Sequence, residues 1–143
     1  MALYFFGAST TSLLLRLGLG IEFVAFGYGK LIDLPSWIGY IPPWMSPLLP
    51  MSTSAFLQAV GVVELVLGVL LIVGLWTRVI AALAALHLLG VLVALGYNDL
   101  AVRDFVAFMS ALALTALGHA SCHYSMDGQL KNSKIETLNP KQT

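Results

Sequence analysis

Residues 54–97 read SAFLQAVGVVELVLGVLLIVGLWTRVIAALAALHLLGVLVALGY. This stretch contains two apolar runs, 54–75 and 78–97, which are separated only by Trp76 and Thr77. A helix that crosses the hydrocarbon of a bilayer needs about 20 mostly apolar residues. Each run has that length, so the stretch predicts two antiparallel membrane-spanning helices joined by a tight turn.

Two further apolar runs flank this hairpin, at 12–31 and 101–120. The composition agrees with a membrane protein, because 59% of the residues are hydrophobic and only 10% are charged. A soluble domain carries about 25% charged residues. We therefore predict an all-α integral membrane four-helix bundle over residues 1–127, followed by a polar tail at 128–143.

The connection between the first two helices, residues 32–53, is rich in proline and in large aromatic residues. Proline at this density excludes a long helix, and Trp and Tyr favour the membrane–water interface. We expect an ordered, partly inserted cap over one mouth of the bundle, with a floppy loop as the alternative. The residues concerned are Pro35, Trp37, Tyr40, Pro42, Pro43, Trp44, Pro47 and Pro50.

The basic residues predict how the chain is oriented. The tail holds Lys131, Lys134 and Lys141, and Arg78 borders the 76–77 turn, whereas residues 32–53 hold no Lys or Arg. Because loops rich in Lys and Arg stay in the cytoplasm, we expect both termini to be cytoplasmic and the Pro/Trp-rich loop to lie outside.

The remaining composition excludes several kinds of function. Lys plus Arg is 7 and Asp plus Glu is 7, so no basic surplus exists for nucleic acid. The one cysteine, Cys122, cannot form a disulfide within the chain. No Gly-rich phosphate loop follows a strand, so no nucleotide is expected. Metal binding is not expected either, because no ExxH or HxxxH spacing occurs in the core.

Seven charged or titratable residues lie within the apolar runs or at their edges. Charge in hydrocarbon costs from about 2.5 to more than about 10 kcal/mol per residue, so these groups must face the interior, pair with one another or do chemistry. They are Arg16, Glu22, Lys30, Glu64, His87, Arg103 and Asp104.

Counting about 1.5 Å per residue along each helix predicts three polar layers. A central layer would hold Glu22, Glu64 and His87. An outer ring would hold Lys30, Asp33, Asp99, Arg103 and Asp104, and an inner ring Arg16, Arg78, His119, His123 and Asp127.

Each layer has a structural and a functional interpretation. The central layer could pass protons or hydrogen-bond a quinone head group, or it could be a satisfied polar core that determines helix register. In the outer ring, Lys30 could reach the interface, and Arg103 and Asp104 could pair with Asp99 or Lys30; the ring would then close the bundle or bind a ligand under the loop. In the inner ring, Arg16 needs a carboxylate, such as Asp127, or several carbonyls.

Small and polar residues form one stripe on each helix, and such stripes pack helices together in lipid. The simplest assembly points all four stripes inward. The stripes contain Gly18, Gly20, Gly27 and Gly29 on the first helix, Gln58, Gly61, Glu64 and Gly68 on the second, Leu83, His87, Gly90 and Ala94 on the third, and Asp104, Ala111, Thr115 and Gly118 on the fourth.

Several of these segments together resemble the DoxX family of small four-helix bacterial membrane proteins. The first helix reads LLLRLGLGIEFVAFGYGKLID, the second reads VGVVELVLGVLLIVGLWTRV, and Ser125-x-Asp127 follows the fourth. The resemblance covers roughly residues 12–127. It implies that Arg16, Lys30, Glu64, Asp104 and Asp127 are signature positions, and that the chain is a multi-pass protein of the bacterial inner membrane.

The resemblance also directs the functional expectation. Relatives in the family include the membrane subunit of an archaeal thiosulfate:quinone oxidoreductase, and others resemble partners or maturation factors of redox enzymes. We expect the membrane subunit of a quinone-linked redox complex, with a redox protein subunit as partner and a quinone as cofactor. Glu64, His87 and Glu22 are the catalytic candidates, and the binding candidates are Arg16, Lys30, Glu64, His87, Arg103, Asp104 and Asp127.

Two other functions stay open at this point. The chain could be a non-enzymatic membrane anchor, scaffold or maturation factor for a partner protein. It could also bind or transport a small solute or lipid, in which case four helices would require a homo-oligomer.

Overall fold

The computed structural model describes residues 2–96, 98–117 and 134, and the regular structure in these residues is entirely helical. Four long helices each contain a segment long and apolar enough to cross a membrane. The prediction of an all-α protein with four membrane-spanning helices is therefore confirmed. The elements are α1 (Ala2–Ile32), α2 (Leu34–Ile38), a 3₁₀ turn (Ser46–Leu48), α3 (Thr53–Val73), α4 (Thr77–Leu95) and α5 (Asp99–Leu117).

The start of α1 differs from its prediction by ten residues. The predicted helix began at residue 12, whereas α1 begins at Ala2 and its membrane-crossing part is Thr10–Ile32. The length of the apolar run predicts only the part of a helix that lies in hydrocarbon. The helix itself can begin before that part, because residues 2–11 hold no proline. The other three helices begin within two residues of their predicted starts.

Four glycines bring the backbones of α1 and α3 into direct contact. A Cβ atom on Gly27 would lie 2.6 Å from the carbonyl oxygen of Gly61, and one on Gly68 would lie 2.7 Å from the carbonyl oxygen of Gly20. No side chain fits at such distances. The predicted small-residue stripes of the first two helices therefore do form a packing interface, although Gly18 faces open space and Gln58 is exposed.

This contact determines the register between the two helices. Gly20 lies against Gly68 and Gly27 against Gly61, as expected for antiparallel neighbours with glycines seven residues apart. A Cβ atom on Gly61 would also lie 3.1 Å from Cβ of Lys30. The side chain of Lys30 is thereby held beside α3 and not directed away from the bundle.

Arg16 of α1 binds the C-terminal end of α3. Its Nε donates to the carbonyl oxygen of Leu71 and its Nη2 to that of Ile72, both at 3.1 Å. The last carbonyls of a helix have no partner within it and carry partial negative charge, so an arginine is well suited to them. Of the two predicted kinds of partner for Arg16, the structure shows carbonyls; Asp127 lies outside the described residues.

The turn between α3 and α4 is built around the same arginine. Gly74 adopts a left-handed conformation, with φ 76°, and ends α3, while Trp76 has φ 47°. A Cβ atom on Gly74 would lie 2.5 Å from Cζ of Arg16. The turn therefore comprises residues 74–76 and not Trp76-Thr77, because the glycine permits both the helix end and the close guanidinium.

The bundle has a packed end and a loop end. The most completely buried side chains lie towards the end that carries Arg16, which we call the Arg16 end, and they include Leu71, Ala81, Ala84, Ala111 and Leu114. At the loop end, where residues 32–53 cross the bundle, the helices enclose a cavity instead. Large apolar side chains such as Val62, Val66 and Val93 are about half exposed or more, as expected for helices that face lipid.

Replacing Gly27 with alanine is expected to destabilise the bundle. The new methyl group would meet the backbone of Gly61 and Leu65, and this overpacking costs about 1–3 kcal/mol. Gly18→Ala on the same helix is the matched control, since its Cβ would meet no atom within 4 Å. Thermal unfolding in detergent should show a lower Tm for Gly27→Ala only; equal Tm values in the two variants would contradict the close helix contact.

Candidate functional site

A cavity of about 630 Å³ lies at the loop end of the bundle. Its walls come from α1, α3, α4, α5 and the connection between α1 and α3. Most of the lining is apolar, and six ionisable side chains interrupt it. The aromatic part consists of Phe23, Phe26, Trp37, Tyr40 and Phe56, and the ionisable part of Glu22, Lys30, Glu64, His87, Arg103 and Asp104.

The proline-rich connection covers part of this cavity, as the sequence predicted. Trp37 of α2 packs edge-on against Phe26, with ring centroids 5.5 Å apart, and its ring also contacts Tyr40. A Cβ atom on Gly29 would lie 3.2 Å from the Trp37 ring, so α1 and α2 touch closely here. Trp44 of the same connection is 57% exposed. Residues of the connection between 37 and 45 therefore line the cavity at the loop end, while its insertion into the membrane stays a prediction.

Lys30, Glu64 and His87 form a bonded triad in the cavity wall, each from a different helix. Nζ of Lys30 lies 2.6 Å from Oε2 of Glu64, and Nε2 of His87 lies 3.2 Å from Oε1. Lys30 and Glu64 are 8% and 6% exposed, so their ion pair is shielded from solvent. As a carboxylate, Glu64 accepts a hydrogen bond on each oxygen.

Lys30 does not have the role that the depth estimate predicted. We expected it in an outer ring, with its ammonium group at the interface, but it points into the triad. Nζ of Lys30 also lies 4.3 Å from the centroid of the Trp37 ring, where the negative face of an indole attracts a cation. The aromatic cap and the buried carboxylate together compensate the charge of this lysine.

A second polar group contains Arg103, Asp104 and Glu22. Nη2 and Nε of Arg103 lie 3.1 Å and 3.3 Å from Oδ1 of Asp104. The prediction that these residues pair with Asp99 or Lys30 is wrong, because the guanidinium folds back onto its neighbour and stacks on Phe26 at 4.0 Å. Glu22 is partly buried and lies within electrostatic range of Arg103 and Asp104.

The predicted central layer is thus divided between two groups. Glu64 and His87 are in contact, whereas Glu22 lines the same cavity beside Arg103. The glycine contact places Glu64 opposite Gly27, which lies about 7.5 Å further along α1 than Glu22 at 1.5 Å per residue. The depth estimate erred because it ignored this register between helices.

Phe26 separates the two groups and was not identified from the sequence. Its ring centroid lies 4.0 Å from Cζ of Arg103 and 5.8 Å from Nζ of Lys30. A signal for it does exist: Glu22, Phe26 and Lys30 follow one another at intervals of four and therefore share one face of α1. An aromatic residue between two charges on one helical face indicates a role in the polar site.

The other predicted ring members are not brought together in the described residues. Asp33 accepts a hydrogen bond from Ser36 at 2.6 Å, and Asp99 and Arg78 are exposed. His119 and His123 lie outside the described residues. Across residues 2–96 and 98–117, no group of three or more His, Cys, Asp or Glu side chains could hold a metal ion.

A DoxX family model matches residues 11–97, which is more than half of the chain. The chain belongs to the DoxX family. The matched segment contains Arg16, Lys30, Glu64 and His87, so the triad and the arginine that binds the end of α3 lie within it. Asp104, which we predicted to be a signature position, lies beyond it. No curated protein and no solved structure matches the chain.

The contributions of Lys30 and Glu64 to the free energy of unfolding are expected to depend strongly on each other. Removing one partner leaves a buried charge and costs about 3–5 kcal/mol. Lys30→Met and Glu64→Gln should each lower the free energy of unfolding in detergent, and the double variant should lose clearly less than the sum. Strictly additive losses would show that the two side chains do not interact in the folded protein.

Proposed function

We propose that this DoxX protein is the membrane subunit of a quinone-linked redox complex, in which the cavity binds the quinone head group. The observation that carries the proposal is the Lys30–Glu64–His87 triad in the wall of an otherwise largely apolar cavity. Such a combination suits a ligand with an apolar ring and polar oxygens.

The size and lining of the cavity support a small aromatic ligand. Ligand sites are typically about 300–1,000 Å³, apolar, and carry a few polar groups that orient the ligand. This cavity has a volume of about 630 Å³. Phe26, Trp37 and Tyr40 offer ring faces against which a flat head group could stack.

The triad offers the chemistry that a quinone needs. Reduction of a quinone to a quinol consumes two electrons and two protons, one proton for each carbonyl oxygen. Lys30 has three N–H donors and uses one on Glu64, so another could be donated to a quinone oxygen. His87 would deliver one proton to that oxygen and regain it from water through the Glu64 carboxylate, which contacts both side chains; the second proton, on the other carbonyl oxygen, would come from water in the cavity.

The proposal takes the electrons from a donor outside this chain. The described residues offer no metal-ligand cluster, so the proposal includes a redox protein subunit, or a small reductant such as thiosulfate, as electron donor. The distribution of lysines supports cytoplasmic termini in a bacterial inner membrane. The loop end of the cavity would then lie towards the outer face.

The two other functions make different demands on the cavity. An anchor, scaffold or maturation factor needs only its outer surface, and a solute or lipid transporter needs an open path and a homo-oligomer. The buried lysine–glutamate–histidine triad beside aromatic rings favours a small bound molecule over an anchor or scaffold.

Quinone binding should quench the fluorescence of Trp37, which lines the cavity. A short-chain 1,4-benzoquinone titrated into the purified protein should therefore quench emission with a saturable binding curve. Trp37→Phe should abolish most of the saturable quenching, whereas Trp44→Phe, which removes a tryptophan that is 57% exposed, should retain it. Equal quenching in both variants would mean that the quinone binds elsewhere.

His87→Phe is expected to weaken this binding up to about tenfold, because the variant keeps an aromatic ring but loses the polar nitrogens, and a typical hydrogen bond contributes about 0.5–1.5 kcal/mol. Leu89→Phe on the same helix is the matched control, since Leu89 is 43% exposed. An unchanged Kd in His87→Phe would show that His87, and with it the triad, does not contact the bound quinone.

Gentle extraction from native membranes, followed by mass spectrometry, separates the three functions. The proposal expects a quinone and a redox subunit in near-stoichiometric amounts. Recovery with a partner protein but without quinone would favour the scaffold function, and recovery as a homo-oligomer with lipid or solute would favour transport.

A further inference from the structure

The cavity that holds the triad reaches the surface of the bundle between α3 and α4. Three residues that line it, Val63 of α3 and Leu83 and Leu86 of α4, are also about half exposed or more. A Cβ atom on Gly90, which lines the cavity as well, would meet no atom within 4 Å. We call this opening the α3/α4 gap, and its edges are Val60 and Val63 on one side and Leu83, Leu86 and Gly90 on the other.

The gap follows from how the helices pair. α3 and α4 are joined by a tight turn, but α3 packs mainly on α1 and α4 mainly on α5, so α3 and α4 contact each other little. Beyond the turn, space is left between them. The small-residue stripe that we predicted on α4, which comprises Leu83, His87, Gly90 and Ala94, lines the cavity at this place.

The gap lies at the middle of two membrane-crossing segments. Val63 is the central residue of α3 and Leu86 is the central residue of α4. The middle of such a span faces hydrocarbon and not water, and the side chains at the edges of the gap are apolar. A molecule that passes through the gap therefore comes from the lipid phase, and the part of it that touches these edges must be apolar.

The gap leads to the triad. Glu64 and His87 directly follow Val63 and Leu86 in the sequence, and their side chains meet at 3.2 Å between the two helices. Glu64 is buried whereas Val63 and Leu86 are exposed, so the contact marks the inner limit of the gap. One molecule with a polar head at the triad could therefore extend an apolar chain through the gap into the bilayer.

Two other ways out of the cavity suit a hydrocarbon chain less well. One leads to a second cavity of about 410 Å³ between α1 and α5, but Glu22 and Arg103 line both cavities and would border the chain. Charged groups lose favourable polar contacts when hydrocarbon lies against them. The other leads to the loop end, where Trp37 and Tyr40 line the cavity. Of the three, the α3/α4 gap has apolar edges throughout.

We propose that a long-chain quinone enters from the bilayer through the α3/α4 gap, and that its hydrocarbon tail lies in the gap while its head group is at the triad. A cavity of about 630 Å³ holds a drug-sized molecule, so a tail of many isoprene units must extend outside it. The inference rests on the proposed function, and it narrows the ligand to quinones that are dissolved in the membrane.

Photolabelling tests where the tail lies. The probe is a 1,4-benzoquinone with a long alkyl tail that carries a diazirine close to the ring. The protein is reconstituted in lipid vesicles and irradiated with the probe, and the labelled residues are identified by mass spectrometry. We expect label on the edges of the α3/α4 gap, at Val60, Val63, Leu83 or Leu86, and an excess of a short-chain 1,4-benzoquinone should remove most of it.

The competition distinguishes probe bound in the cavity from probe that is only dissolved in the lipid. Label that the competitor removes from Leu14 or Val106, which line the cavity between α1 and α5, would place the tail there and overturn the inference. Label that the competitor reduces at no position would overturn it too, because the labelled tails would not belong to molecules in the cavity.

Two matched glycine variants test the same point without a label. Gly90→Leu narrows the α3/α4 gap and Gly18→Leu narrows the cavity between α1 and α5; a Cβ atom at either glycine meets no atom within 4 Å, so both variants should fold. Gly90→Leu should weaken the binding of a long-chain 1,4-benzoquinone about tenfold, because the new side chain and the tail compete for space. The loss for a short-chain 1,4-benzoquinone should be clearly smaller, and Gly18→Leu should change neither affinity.

The remaining outcomes separate the two proposals. An equal loss for both quinones in Gly90→Leu, no loss for either, or a selective loss of the long-chain quinone in Gly18→Leu would overturn the gap as the place of the tail. The proposed function would stand in these cases if the short-chain quinone still quenches Trp37 with a saturable curve in the unaltered protein. If neither quinone binds the unaltered protein, the proposed function fails, and this inference fails with it.

Discussion

The backbone contact between α1 and α3 is the constraint on which the rest of the site depends. In a bilayer, no hydrophobic driving force pulls helices together, so their association relies on close van der Waals packing and hydrogen bonds. Gly20, Gly27, Gly61 and Gly68 provide the close packing. The register that they impose brings the ammonium group of Lys30 to one carboxylate oxygen of Glu64. The other oxygen of the same carboxylate contacts His87 of α4.

The ionisable groups of the cavity are compensated locally and not by solvent. Lys30 is matched by Glu64 and by the face of Trp37, and Arg103 is matched by Asp104 and by the face of Phe26. Each cation therefore has one carboxylate and at least one aromatic ring. In the low-dielectric environment of the cavity, the attraction of each cation to its carboxylate and to the face of the aromatic ring is stronger than it would be in water. This arrangement allows a polar site within apolar walls without a net charge on either pair.

The sequence was informative wherever a single helix carries the signal. The span lengths could be predicted, and so could the small-residue stripes of α1 and α3 and the need of Arg16 for a carboxylate or carbonyls, because each depends on local composition. The positions of Glu22 and Lys30 relative to Glu64 could not, because depth counted along separate helices ignores how the glycines set the register between them. The stacking of Arg103 on Phe26 depends on how side chains of two helices pack together, and the pattern of residues along one helix does not predict this.

The position of Arg16 has a consequence for how the protein enters the membrane. α1 precedes the other three described spans in the chain, and it is also the least apolar of the four, whereas α3 is the most apolar. The polar side chains of α1 find acceptors on α3, at the carbonyls of Leu71 and Ile72 and at Glu64. Alone in lipid, α1 would hold Arg16 and Lys30 without these acceptors, at a cost of a few kcal/mol for each charge. The stable insertion of α1 is therefore coupled to α3, because α1 reaches its lowest free energy in the membrane only when α3 lies beside it.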